Sequence, residues 1–328
     1  MSSPARVIIH PSQFPDAVRR DLLASLRSRA VNHKFHYDSF KQTQKWLALH
    51  QAYSPSRTDA DCAATYDASF SGAANQLQAA AIHLVGLGCG GGQKDTRLLR
   101  LLQQAGKRVS YTPSDVGTAM VLVARDAALV VIPDADCHPL VCDLATADNL
   151  AVVLDDSTKS GEARLITFFG MIPNFEPQLI LPRLASLLRP GDHLLFSANL
   201  APGADYAAGV KRILPLYDNQ LTRDWLMTFL LDLGVETTDG ELRFTIEDDA
   251  AGQGLKRITA RFHFARQRRV EVEGETFEFK PGESIRLFFS YRHTPQLVRS
   301  LLGDHGIQVL DQWITKSEEE GVFLCRRK

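Results

Sequence analysis

From Ala81 to Arg97 the chain reads Ala-Ile-His-Leu-Val-Gly-Leu-Gly-Cys-Gly-Gly-Gly-Gln-Lys-Asp-Thr-Arg, and this stretch narrows the fold more than any other. The apolar run 82–87 reads as a buried parallel strand, because a strand covered on both faces need not alternate. It ends in Gly86, Gly88, Gly90, Gly91 and Gly92. Leu98, Leu99, Leu101 and Leu102 then recur at helical spacing. A strand, a glycine turn and a helix form the first unit of a doubly wound nucleotide-binding sheet. Glycine tolerates positive φ and lets a ligand approach the backbone closely. The spacing is not the dinucleotide G-x-G-x-x-G, because Gly86-x-Gly88-x-Gly90 runs on into polar residues.

Composition excludes several classes. The 328 residues are 45% hydrophobic and 23% charged with net charge −1, which fits two domains or one large one. Nucleic-acid binding is not expected, since the basic clusters are no larger than Arg266-Gln-Arg-Arg269 and Arg326-Arg-Lys328. No apolar run approaches the roughly 20 residues of a membrane helix. The N-terminus lacks the apolar core of a secretory signal. Five cysteines without paired spacing suit a reducing cytoplasm. Cys137, His138, Cys142 and Asp143 are metal-ligand types, but no second cluster completes the roughly four ligands of a zinc site, so no metal is expected.

Residues 1–60 read as a polar, helix-rich lead-in, with Val18, Leu22, Leu23 and Leu26 on one helix face and a loop at Pro55. Strands at 82–87, 109–113, 140–142, 164–169 and 193–198 then alternate with helices such as 177–188, which implies a parallel sheet covered on both faces. Ligands bind outside the carboxyl ends of such strands. Asp115, Asp143 and Asn174 follow the second, third and fourth of them. Asp115 stands where an acid accepts from ribose hydroxyls, and Asp143 can accept from an exocyclic amine. Residues 201–290 break the pattern. Here 205–233 reads as helical, with Tyr217-Asp218-Asn219 inside it. Short strands follow at 242–246, 257–264, 269–273, 276–279 and 284–290, with a hairpin turn at 272–276. This predicts an inserted antiparallel unit over the sheet. A helix at 295–302 closed by Gly303, a strand at 307–314, an acidic turn at 317–320 and a strand at 322–326 complete the chain. The final strand is thus expected to enter antiparallel. That ending marks class I methyltransferases dependent on S-adenosylmethionine (SAM), and the glycine run is close to their E/D-x-G-x-G form, with Gly86 where an acid often stands.

An ordered set of motifs extends the likeness. It comprises Lys34-x-x-Tyr37-Asp38, Tyr53-x-Pro55-x-Arg57-Thr58, the glycine run through Lys94-Asp-Thr-Arg97, Pro113-x-Asp115-Val116 and Phe168-Phe-Gly170. It continues with Asn174-Phe-Glu-Pro177, Arg189-Pro-Gly-Asp192, Tyr217-Asp218 and Pro281-Gly-Glu-Ser-Ile285. From about Asn32 onward the chain resembles a divergent member of the histidine-specific Nα-methyltransferases of ergothioneine biosynthesis. The resemblance implies an α/β fold: a class I, Rossmann-like SAM-binding sheet with an antiparallel last strand, plus a smaller α+β substrate-capping domain. The methyltransferase domain would span 59–200 and 290–328, and the cap 1–58 and 201–289. It implies direct SN2 transfer of a methyl group from SAM to the α-amine of a free amino acid, leaving S-adenosylhomocysteine. Tyr53 and Asn174 would hold the amine as the catalytic pair, Tyr217 the carboxylate, and Tyr37 would lie near the side chain. Gly86, Gly88, Gly90, Lys94, Asp115 and Asp143 would hold the cofactor.

Two departures bear on the acceptor. The histidine-selective pattern places Glu-x-Ser on a late strand. Ser290 is kept, but Phe288 stands where the acid is expected and cannot accept an imidazole N–H. The loop beside the amine site shortens to Gly170-Met-Ile-Pro-Asn174, and Pro173 stiffens it. The expected acceptor is therefore histidine-like or another aromatic or apolar amino acid. Methylation of another small molecule and non-catalytic SAM binding stay open at this point. A cytoplasmic monomer without nucleic-acid or membrane partners is expected.

Overall fold

The computed structural model describes residues 4–249 and 252–328. The first part of the chain forms β1 (Ile8–Ile9), α1 (Pro15–Ser28), α2 (Phe40–Tyr53), α3 (Pro55–Thr58) and α4 (Ala60–Gln76). Strands and helices then alternate: β2 (Ala81–Leu87), α5 (Gln93–Gln104), β3 (Arg108–Asp115), α6 (Thr118–Ala128), β4 (Leu140–Val141), α7 (Leu150–Ser157), β5 (Ala163–Phe168), α8 (Pro177–Leu187) and β6 (His193–Asn199). Next come α9 (Tyr206–Tyr217), α10 (Gln220–Asp232), β7 (Gly240–Asp248), β8 (Lys256–Phe264), β9 (Arg268–Val272), β10 (Glu275–Phe279) and β11 (Ser284–Arg292). The chain closes with α11 (Pro295–Asp304), β12 (Ile307–Ile314) and β13 (Glu320–Arg327).

The main sheet runs β1-β4-β3-β2-β5-β6-β13-β12. Its first six strands are parallel. Strand β13 lies antiparallel between β6 and β12. This is the expected α/β sheet with an antiparallel last strand. Every residue of β2 is buried; Val85 and Leu87 enter one apolar cluster, Ile82 and Leu84 another. From β2 the chain steps out to β3 and β4, then returns to build β5 and β6 on the other side. The switch point therefore lies at β2, and a crevice opens beyond its carboxyl end. Fully buried Arg164 on β5 bonds Asp192 Oδ2 through Nε and Nη2, at 2.9 and 2.6 Å, and Leu187 O at 2.7 Å, which pins the turn before β6.

A second, antiparallel sheet has the order β11-β8-β7, and β9 and β10 form a hairpin turning at Glu273 and Gly274. Leu26 of α1 and Phe35 share one apolar cluster with Trp225 and Phe229 of α10 and with Phe262 and Phe288 of this sheet. The lead-in helices and the inserted segment thus bury their apolar faces together. Tyr291 Oη and Arg257 Nη1 both donate to Glu176, at 2.6 and 2.9 Å, and tie this sheet to the start of α8.

Three local expectations change. Ile8–Ile9 pairs with β4 and so belongs to the main sheet rather than to a purely helical lead-in. The helical run 205–233 is two helices: α9 ends at Tyr217, and Asn219 caps α10 by accepting from the Thr222 amide at 3.0 Å. Gly303 lies inside α11, and Gly306, at φ 73°, makes the turn into β12.

Candidate active site

A cleft of about 460 Å³ opens beyond the carboxyl ends of β2, β3 and β5, within the range of about 300–1,000 Å³ occupied by small-molecule sites. The glycine bend forms its floor. Gly88 and Gly90 hold φ of 64° and 52°, conformations that side chains resist. A Cβ on Gly88 would lie 2.3 Å from Met171 Sδ, and one on Gly90 would lie 2.9 Å from the Trp46 ring. The bare backbone therefore lets Met171 and Trp46 fold closely over the bend while a cavity remains.

Carboxylates stand along the strand ends. Asp115, at the end of β3, accepts from the amides of Gly90 and Gly117, both at 3.2 Å. Burial raises its carboxyl to about 6 despite these bonds. Asp143 follows β4; its Oδ1 accepts from the Ala145 amide at 2.9 Å. Its Oδ2 accepts no hydrogen bond, and Lys34 Nζ lies 3.5 Å away. Lys94, in the first turn of α5, donates to Tyr66 Oη at 2.7 Å and lies 3.8 Å from Glu320 Oε1. Gly86 does not line the cleft. It sits inside β2, and its missing side chain leaves room for the Asp95 carboxylate.

On the far side of the bend, Asn174 ends the short turn Ile172–Asn174. Its Nδ2 donates to Phe289 O at 2.8 Å. A carbonyl can only accept, so the amide orientation is set and Oδ1 is left as a free acceptor. Tyr37 packs against Trp46 and Trp225, with ring centroids 6.1 and 5.4 Å away. Burial, helped by the Asp115 charge, raises its phenol well above the usual range. Tyr53 stands at the rim, 55% exposed.

Tyr217, Phe288 and Ser290 gather apart from these residues and do not line the cleft. Tyr217 Oη is 2.8 Å from Ser290 Oγ and accepts from Arg292 Nη2 at 2.9 Å. Phe288 is buried, and the His33 ring, 5.2 Å from it, stands between it and the cleft. Both ring nitrogens of His33 lack partners, and burial, then His36 and Arg286, lowers its pKa well below the ordinary imidazole value.

Sequence reasoning missed Trp46, Met171, Asp95 and Glu320 as cleft residues. Asp95 belongs to the run Lys94-Asp-Thr-Arg97, but nothing local shows that its side chain turns inward. The acidic run 317–320 reads as a turn, yet Glu320 begins β13 and accepts from Tyr66 Oη. Among the described residues, no group of three or more His, Cys, Asp or Glu side chains could hold a metal ion, and no helix is long and apolar enough to cross a membrane.

Residues 18–327 match the pattern of the family described as histidine-specific methyltransferase, SAM-dependent. The chain belongs to this family. Among curated relatives, the N-methyltransferase imqF of Aspergillus flavus is 27% identical over 247 residues, 73% of this chain and 65% of that protein. The chain thus matches just under two thirds of that relative's length. The histidine N-alpha-methyltransferase of Mycobacterium tuberculosis is 23% identical over 324 residues, 95% of each chain. A solved structure, the magnesium protoporphyrin IX methyltransferase of Synechocystis with bound S-adenosylhomocysteine, aligns over 95% of this chain and 99% of that one, with a TM-score of 0.42 and 15% identity. That likeness is too low to inform function.

The family's cofactor is SAM, and the cleft suits it. A cavity remains beside the bend beneath Met171 and Trp46, and the carboxylates of Asp115 and Asp143 offer acceptors, that of Asp143 with an unsatisfied oxygen. Anionic groups around such a site also suit a cationic ligand.

Proposed function

We propose that this member of the family is a SAM-dependent N-methyltransferase acting on the α-amine of a free amino acid, preferably one with an aromatic or apolar side chain. The observation that carries this reading is Asn174: its nitrogen is committed to Phe289, so its oxygen is available in the cleft beside the glycine bend. An amide oxygen orients an N–H without holding an ammonium as strongly as a carboxylate does, and so leaves the lone pair available. When bound, the cofactor would supply a sulfonium methyl carbon for in-line attack by a neutral amine, with the thioether of S-adenosylhomocysteine as the leaving group. Gly88, Gly90, Lys94, Asp115 and Asp143 bind it, and Gly86 contributes space. Tyr53, from the rim, joins Asn174 on the amine, and Tyr37 borders the acceptor side chain. Tyr217, expected at the carboxylate, stands behind the cleft with its hydroxyl on Ser290 and Arg292, so the carboxylate is not assigned to it. Such positioning can lower a barrier by roughly 7 kcal/mol or more.

Phe288 supports a side-chain preference. It backs the cleft-lining His33 ring, among Trp225 and Tyr217, and offers no acceptor for the N–H of a histidine ring. A buried N–H left unpaired costs about 1–3 kcal/mol. The five unpaired cysteines support a reducing, cytoplasmic setting, and we take the working unit to be a monomer.

Calorimetric titration with SAM, followed by an amino-acid panel assayed for S-adenosylhomocysteine release, tests the proposal. Micromolar SAM binding and faster turnover of aromatic or apolar acceptors than of histidine are expected. No heat with folded protein at millimolar SAM would remove the cofactor assignment. Histidine turned over as fast as any other acceptor would remove the side-chain preference.

A further inference from the structure

The strand position where an acid would face the cleft is a glycine, yet the same space holds a carboxylate from another element. An ideal Cβ on Gly86 would lie 2.2 Å from Asp95 Oδ2. Asp95 sits in the first turn of α5, where an acid ordinarily faces outward and favours the helix dipole. Here it turns inward, is 3% exposed, and lines the cleft. Tyr111 Oη donates to its Oδ2 at 2.7 Å and Thr167 Oγ1 to its Oδ1 at 2.8 Å. These hydroxyls fix the carboxylate across the ends of β2, β3 and β5. Among the described residues it has no ion-pair partner within 4 Å, since the neighbouring Lys94 is directed to Tyr66 and Glu320. Burial lifts its carboxyl to about 6 even though both hydroxyls donate and the nearby Lys94 charge favours the anion.

We propose that Asp95 is a cofactor-binding residue that receives the α-ammonium of the methionyl part of SAM, in the place a strand-end acid would have held. The order of the groups supports this placement. Asp143 after β4 and Asp115 at the end of β3 offer acceptors for the adenine and ribose ends of a ligand stretched along the strand ends. Its amino-acid end then lies over β2 and β5, where Lys94 and Asp95 present adjacent charges of opposite sign. That pair is complementary to a zwitterion: a carboxylate for the ammonium and an ammonium for the carboxylate.

The inference rests on the cofactor reading above, and the test keeps the two apart. SAM and 5′-methylthioadenosine, which has the nucleoside and thioether but no amino-acid end, are titrated by calorimetry into wild type, Asp95→Asn, Asp95→Ala and the pair Gly86→Asp with Asp95→Ala. Asp95→Asn is expected to weaken SAM about 10- to 100-fold while leaving 5′-methylthioadenosine within twofold. Gly86→Asp alone collides with Asp95 and lowers Tm; once that carboxylate is gone the remaining close contact is the Tyr111 hydroxyl, 3.0 Å from the new Cβ, which is freed of its Asp95 partner and can donate to the introduced acid. The paired variant is therefore expected to recover Tm and most of the SAM affinity that Asp95→Ala loses. If Asp95→Asn binds SAM within twofold of wild type, or weakens both ligands equally, Asp95 is structural and the inference fails alone. If wild type binds neither ligand, the cofactor reading itself falls.

Discussion

Asn174 and Phe289 are joined by a 2.8 Å hydrogen bond from side-chain amide to main-chain oxygen. The bond links the loop after β5 to strand β11, and so connects the two sheets at the cleft. The residue proposed to orient the amine is thereby aligned by the element that carries Phe288 and Ser290.

Asn174→Ala removes both the acceptor and this alignment. Turnover should fall about 100-fold, a loss typical of misplaced reactants, with SAM affinity within twofold of wild type. Steady-state assays of S-adenosylhomocysteine release beside calorimetry check it. Unaltered turnover would show that the amine is held elsewhere.

Gly88→Ala tests the bare backbone. The new methyl would enter a residue at φ 64° and meet Met171 Sδ at 2.3 Å. The left-handed conformation alone costs roughly 1–2 kcal/mol, and displaced Met171 would be pushed into the cavity. We expect a lower urea midpoint and at least tenfold weaker SAM binding.

Asp115 gives two opposite pH dependences. Its folded pKa is about 6 against 3.8, because burial outweighs the Gly117 and Gly90 amides. Between those values the folded chain binds more protons than the unfolded one, so this group's contribution to stability falls as pH rises through the window. Asp115→Asn, relative to wild type, should therefore be more stable at pH 7.5 than at pH 4.5, by about 2 kcal/mol in urea titrations. SAM affinity should move the other way and decline below pH 6, as the acceptor carboxylate protonates. Asp95 titrates over the same window, so wild type should lose affinity more steeply than Asp115→Asn.

Asp192→Asn tests the buried ion pair behind the sheet. Arg164 and Asp192 are 0% and 3% exposed, and the change leaves the guanidinium only the half-exposed Asp155, 2.7 Å from Nη1, as counter-charge. Breaking such a pair costs about 3–5 kcal/mol. The urea midpoint should drop accordingly, with SAM affinity unaltered wherever the variant remains folded.

Much of the sheet was legible locally. Strands β2, β5 and β6 are largely apolar runs bounded by turn residues, so their parallel packing and the site at their carboxyl ends follow from pattern and connection rules. Asp115 and Asp143 were found the same way, as acids one step past a strand. The break at Asp218 was not legible, because the apolar spacing continues across it and only the Asn219 cap separates the helices. Ile8–Ile9 carried too short a signal to be read as a strand.

The sequence by itself determined the doubly wound sheet, the bare bend after β2 and the absence of an acid at Gly86, since each is written in neighbouring residues and their periodicity. Only the tertiary structure decided that Asp95 fills the space above Gly86, that Asn174 is aligned by Phe289, and that Tyr217, Phe288 and Ser290 stand behind the cleft. The physical reason is distance along the chain. Which way a side chain turns depends on how its helix or strand is rotated against partners remote in sequence, and that rotation is set by packing rather than by local preference.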